Sequence, residues 1–307
     1  MSPATRSPAG HGGLASRLVA GTSVLALFAA LVWADGTGLA GAPPLAWLLP
    51  VVLVLAGGAG HEAVRLAAAA GHPLEPLLVP VGAAAIAAAP AVAARVPASA
   101  DPLAVVGPAA VATMAVVAAI FASGVARYAP GQAALSRVAG SVAAAVSIGL
   151  PFAFMVALRV VSAAHAPSRG AVALVPLLSL VAVVKAGDIA AYAVGSTLGR
   201  TRMAPQLSPG KTWEGCAASL AGSLLASWAV LHAWAPAGGP LPLGGWVVFG
   251  GAVGAAGIVG DLAESLVKRE LAAKDSGRML GAIGGCLDLV DSLLLAAPVA
   301  WLLWAAG

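Results

Sequence analysis

The chain has 307 residues, of which 16 are Lys or Arg and 12 are Asp or Glu; 60% are apolar, 9% are charged, and the mean hydropathy is +0.96. A soluble globular chain carries roughly 25% charged residues, so this one has too few to cover a water-facing surface, and it is too apolar to be disordered. Two cysteines, Cys216 and Cys286, make neither a disulfide framework nor a zinc cluster, and apolar runs of roughly 20 residues rather than about 10 exclude an outer-membrane barrel. The composition predicts an all-α polytopic integral membrane protein.

Residues 1–13 (MSPATRSPAGHGG) are rich in Pro, Gly and Ser and read as a disordered N-terminal tail. Nine runs follow that are long and apolar enough to cross the membrane, at roughly 15–34, 45–60, 75–95, 103–126, 138–161, 171–196, 214–234, 243–264 and 286–306. The first is longer than a signal-peptide core and leads into more membrane, so it reads as a retained helix. Pro90 and Pro108 interrupt the third and fourth runs. Alanine-rich stretches such as AAAIAAAPAVAA predict close helix packing. The runs divide into N-terminal helices over 14–165 and a second set over 170–307, with polar loops at 197–213 and 265–285.

Lysine and arginine set the orientation. With the N-terminus inside, twelve of them fall on the inner side: Arg6, Arg17, Arg65, Arg127, Arg137, Arg200, Arg202, Lys211, Lys268, Arg269, Lys274 and Arg278. Only Arg95, Arg159 and Arg169 fall outside. This predicts a cytoplasmic N-terminus in the cell inner membrane, with both polar loops on the cytoplasmic side.

Eight of the 12 acids lie between Lys185 and Asp291. Four of them, Asp188, Asp261, Asp288 and Asp291, fall within or at the edge of apolar runs, where a carboxylate costs about 2.5–3.5 kcal/mol on insertion and therefore signals function. Residues three and four apart share a helix face. Asp288 and Asp291 are thus neighbours. Asp261, Ser265 and Lys268 form a second stripe, with Glu264 beside it, and Lys185, Asp188, Tyr192 and Gly195 form a third. Carboxylates without nearby histidine or cysteine favour a hard cation, Mg²⁺ or Mn²⁺. The loops add glycines with Arg200, Arg202, Ser208 and Lys211, and with Lys268, Arg269, Lys274 and Arg278. Acids for a metal beside cations for phosphate equip a site for phosphoryl or nucleotidyl transfer. SPGKT lacks the first glycine and preceding strand of a P-loop. The competing class is an ion-coupled membrane transporter, although residues 1–150 hold no convincing copy of the 185–291 block.

From Ser265 onward the sequence resembles the signature of the phosphatidate cytidylyltransferases (CDP-diacylglycerol synthases): S-x-x-K-R-x4-K-D-x-G, then H-G-G, then D-R-x-D. Ser265, Lys268, Arg269, Lys274, Asp275, Gly277, Gly284, Gly285, Asp288 and Asp291 all match. Upstream, Asp188, Ala191, Tyr192, Gly195, Gly199, Arg200 and the run SPGKTWEG from Ser208 to Gly215 also look like the family's. Two positions depart: Ile283 stands where the family has histidine and Leu289 where it has arginine.

The resemblance implies transfer of CMP from CTP to phosphatidic acid, giving CDP-diacylglycerol and pyrophosphate in phospholipid biosynthesis. An enzyme acting on another lipid phosphate, or an impaired one, is the alternative that the two departures raise. On this reading Asp261 and Asp288 are the principal metal ligands, with Asp291 and Asp188, for Mg²⁺ or Mn²⁺ and a second, monovalent or divalent, cation. Lys211, Lys268, Arg269 and Lys274 hold phosphates, Ser208 and Ser265 donate hydrogen bonds, and Asp275 positions Lys274 or a metal-bound water. Arg200 binds substrate or anchors the orientation. The implied partners are CTP, phosphatidic acid, membrane lipids and a second copy in a homodimer, with no nucleic acid.

Overall fold

The structure is a computed structural model that describes residues 27–95, 101–130, 133–165, 174–234, 241–273, 277 and 285–307. The tail at 1–13 and most of the first apolar run lie outside the described residues. In chain order come α1 (Leu27–Thr37), α2 (Leu49–Ala69), α3 (Leu78–Ala88), a 3₁₀ segment (Ala89–Arg95), α4 (Pro102–Ala126), α5 (Ala134–His165), α6 (Val175–Leu198), β1 (Arg202–Ala204), β2 (Ser208–Thr212), α7 (Trp213–Trp234), α8 (Gly245–Glu270) and α9 (Cys286–Ala305). Seven of these helices are long and apolar enough to cross a membrane. The all-α polytopic class is therefore the one observed, apart from a short antiparallel hairpin, β1–β2, inside the loop expected at 197–213.

Local chemistry explains the boundaries. Asp101 accepts the Leu103 N–H at 2.9 Å and Pro102 follows it, an N-cap and N1 pair that starts α4. Pro108 does not break α4, which runs through it. Pro90 does change the backbone: α3 ends at Ala88 and the chain tightens into 3₁₀, because proline removes a donor and crowds the preceding turn. The second apolar run was expected to end near residue 60, yet α2 continues to Ala69 and takes Glu62 with it, 3% exposed. Hydropathy stops at the first charges, whereas the helix continues because Glu62 faces the bundle instead of water.

One apolar cluster draws residues from α1, α2, α3, α4, α5, α6, α8 and α9. Helix α9 is central to it and packs against α2, α5, α6 and α8. The division expected between 165 and 170 falls between α5 and α6, among residues outside the described ones.

Arg159, which the Lys/Arg count puts among the outer residues, is buried in the bundle: its Nε donates to Asp35 Oδ2 at 2.7 Å and its guanidinium reaches the Asp35 carbonyl at 3.2 Å. Neither side chain is more than 3% exposed. A charge in an apolar segment survives when it is paired inside the protein. Glu75 is another buried acid, held by Arg127 at 3.0 Å and Arg137 at 3.6 Å.

Candidate active site

Small residues bring the last four helices together. A Cβ on Gly187 of α6 would stand 2.6 Å from Ser223 Oγ of α7, and one on Gly260 of α8 would stand 2.8 Å from the Asp291 carbonyl of α9. Without side chains at these points the backbones approach closely, as small residues allow between membrane helices. Ser223 also donates to the Val183 carbonyl at 3.1 Å, locking α6 to α7. Gly260 precedes Asp261, so the close approach that it permits sets how far Asp261 stands from Asp291. Gly260→Ala is expected to push α8 from α9 and lower turnover by about ten- to hundredfold, since a misplacement near 1 Å costs that much. Turnover assayed on folded, detergent-purified protein checks this.

Between these helices and the hairpin lies a cleft of about 550 Å³. Lys185, Asp188, Tyr192 and Gly195, the stripe read on α6, all line it. So do Ser208 and Lys211 of β2, Asp261 of α8, and Asp288, Asp291 and Ser292 of α9. The hairpin is held over the cleft by its surroundings. Arg269 donates from Nε to the Leu207 carbonyl at the hairpin turn, at 3.0 Å. Thr212 accepts the Gly215 N–H at 3.1 Å, capping α7, and Glu214 in the first turn accepts the Thr201 N–H at 3.1 Å.

The carboxylates fall into two groups. Oxygens of Asp261, Glu264 and Asp291 all lie within 4.8 Å of one another. Asp288 turns elsewhere: one oxygen meets Lys268 Nζ at 2.5 Å, and the other accepts the Gly285 N–H at 3.0 Å at the start of α9. Asp188 pairs with Lys185 at 3.1 Å and accepts from Ser292 Oγ at 3.3 Å. Lys211 reaches Asp261 at 2.8 Å, and Lys268 reaches Glu264 at 2.9 Å. Lys211 of the hairpin and Lys268 of α8 therefore each pair with one carboxylate of the trio.

Glu264 is the residue that sequence reasoning undervalued. The sequence puts it beside the α8 stripe and not among the ligands, yet it completes the trio and is 8% exposed. Its spacing carried the signal, since Glu264 and Asp261 sit three residues apart on one face. Ser265 is half-buried on α8 and lies off the cleft lining, and Arg200 is exposed beyond the end of α6. Lys274, Asp275, Ile283 and Gly284 lie outside the described residues.

The trio fits a hard cation. Three carboxylate oxygens lie close together with no histidine or cysteine in the set, and Glu264 Oε1 is buried without a hydrogen-bond partner among the described residues. Packed anions with an unsatisfied oxygen are destabilising alone and are matched by Mg²⁺ or Mn²⁺.

Leu289, where the family resemblance expects arginine, packs half-buried against the main apolar cluster. Leu289→Arg is expected to lower stability by about 1–3 kcal/mol and to bring no gain in turnover. Melting curves and initial rates measured side by side test this; a faster, equally stable variant contradicts it.

The profile of the cytidylyltransferase family matches residues 15–306. Among curated proteins, the chain is 44% identical over 133 residues to a phosphatidate cytidylyltransferase of Brucella suis, covering 42% of this chain and 46% of that one. It is 42% identical over 132 residues to the enzyme of that name from Pseudomonas aeruginosa, covering 43% and 48%. The phosphatidate cytidylyltransferase of Haemophilus influenzae is 36% identical over 156 residues, covering 50% and 53%. The matched stretches span about half the length of these relatives. With the family profile running from end to end of the bundle, and a carboxylate trio beside two lysines inside it, the chain belongs to the cytidylyltransferase family.

Proposed function

We propose that the protein transfers CMP from CTP to phosphatidic acid, giving CDP-diacylglycerol and pyrophosphate, at the cytoplasmic face of the cell inner membrane. The observation that carries this is the carboxylate trio paired with Lys211 and Lys268, with Asp261, Asp291 and Lys211 on the lining of a cleft among apolar helices, on a chain of this family. The acceptor is a lipid whose phosphate lies at the interface, and the donor is a water-soluble triphosphate. A cleft at the end of membrane-spanning helices gives both access.

An oxygen of the lipid phosphate attacks the α-phosphorus of CTP. A new P–O bond forms, the bridging bond to the β-phosphate breaks, and pyrophosphate leaves with that electron pair. Lys211 and Lys268 are cationic donors placed to hold the phosphates and offset the repulsion between two polyanions. Asp261, Glu264 and Asp291 would hold Mg²⁺ or Mn²⁺, with Asp188 and Asp288 on the same cleft for a second cation. Bound there, a divalent ion supplies charge neutralisation for the triphosphate and the leaving group. Asp288 ties Lys268 of α8 to the start of α9 and caps that helix. Ser208, at the start of β2, is a hydroxyl donor on the cleft wall, and Arg269 fastens the hairpin that carries Lys211.

The test uses purified protein in detergent with Mg²⁺, CTP labelled at the α-phosphate, and phosphatidic acid. Label is expected in the lipid fraction, and in parallel Asp288→Asn is expected to lose most of it. Absence of label with any lipid phosphate tried rejects the proposal and returns the ion-coupled transporter to the front.

A further inference from the structure

Glu62 sits on α2, far in sequence from the cleft, but its carboxylate reaches the first turn of α9. Its Oε2 accepts the Leu287 N–H at 3.0 Å across 225 residues of sequence. Its Oε1 is buried with no hydrogen-bond partner among the described residues. Glycines flank it on two sides: a Cβ on Gly277 would stand 2.5 Å from Oε1, and one on Gly285 would stand 2.5 Å from Oε2. Both positions leave room for the carboxylate only because they lack side chains.

At the start of α9 two acids take two of the backbone donors. Asp288 takes the Gly285 N–H from within the helix, and Glu62 takes the Leu287 N–H from outside it. An anion there is favoured by the positive end of the helix. Packing alone does not require a glutamate at 3% exposure, because a buried carboxylate with one oxygen unsatisfied is costly. The cost is accounted for if the contact fixes where α9 begins, since Asp288 and Asp291 follow within the next turn.

We propose that Glu62 is a positioning residue for the metal-binding carboxylates. From the N-terminal half of the chain it holds the start of α9 and the flanking Gly277 and Gly285, and so sets the distance of Asp291 from Asp261 and Glu264. This rests on the metal-site reading given under the proposed function.

The experiment compares Glu62→Gln and Glu62→Met in the full chain. Glutamine retains an acceptor for the Leu287 N–H; methionine fills the same space without one. Mn²⁺ affinity is read by electron paramagnetic resonance without CTP or lipid, and kcat and the KM for CTP are read by lipid labelling. Glu62→Gln is expected to stay within about threefold of the parent, and Glu62→Met to lose about tenfold or more in both Mn²⁺ affinity and kcat, as losses of supporting groups behind metal ligands do. The KM for CTP should change little. Two results overturn the proposal: Glu62→Met that only melts earlier, with parental Mn²⁺ affinity and kcat, or Glu62→Gln as impaired as Glu62→Met.

If Glu62→Met yields no folded peak on size exclusion, Gly277→Ala addresses the same contact from the other side. It is expected to remain folded and to lose about tenfold in Mn²⁺ affinity, and parental Mn²⁺ affinity overturns the proposal. Mn²⁺ binding that depends on Glu62 in a protein transferring no CMP would sink the proposed function and leave this inference standing. Transfer that persists alongside unchanged Mn²⁺ affinity in Glu62→Met does the reverse.

Discussion

Asp261→Asn is expected to lower CMP transfer by about 10²–10³-fold or more, since it removes a charge from the group that would hold the metal. The variant should not be less stable. Asp261, Glu264 and Asp291 crowd three carboxylates within 4.8 Å, and like charges so close repel one another. The pair that Asp261 makes with Lys211 is partly open to water, with side chains 38% and 20% exposed, so losing it costs at most about 1 kcal/mol. Removing one charge therefore leaves melting in chelator-treated buffer unchanged or raises it. Added Mg²⁺ should raise the melting temperature of the parent, because a ligand that binds only the folded state stabilises it, and should do so much less for Asp261→Asn. A variant that loses activity and stability together, with the Mg²⁺ shift intact, would instead mark Asp261 as structural.

The second large effect concerns stability. Arg159→Met leaves Asp35 buried without its partner, and breaking one side of such a pair costs about 3–5 kcal/mol. Replacing both residues, Asp35→Leu with Arg159→Met, should restore most of that stability, because the desolvation penalty of each ion disappears along with their attraction. Thermal melting in detergent of the two single variants and the double variant forms the cycle. If the double variant is as unstable as the sum of the singles, the two residues do not act as a pair. Transfer by folded protein should change little throughout, since the pair lies between α1 and α5 and lines no part of the cleft.

These two results depend on different kinds of legibility. The trio was partly visible, because Asp261 and Glu264 are three apart and Asp288 and Asp291 are three apart, and helical spacing places each pair on one face. What spacing leaves open is the rotation of one helix against the next. Sequence reading favoured Asp261 with Asp288, whereas α9 presents Asp291 to Asp261 and Glu264 and turns Asp288 toward Lys268 and its own N-terminus. The α6 stripe translated without change, since all four of its residues line the cleft. The hairpin over 202–212 was legible only as a polar loop, for two strands of three and five residues are too short to show alternation.

By itself the sequence determined the membrane class, the positions of the long helices and the third of the chain where the acids are concentrated. Each of these follows from local properties: length, apolar content and spacing along one helix. The tertiary structure decided which distant charges meet. Asp35 finds Arg159 across 124 residues and Glu62 finds Leu287 across 225. A lone acid in an apolar run looks the same whether it faces lipid, water or a partner. Only the packing of one helix on another, set by small residues such as Gly260, supplies that partner and brings the three carboxylates within 4.8 Å of one another.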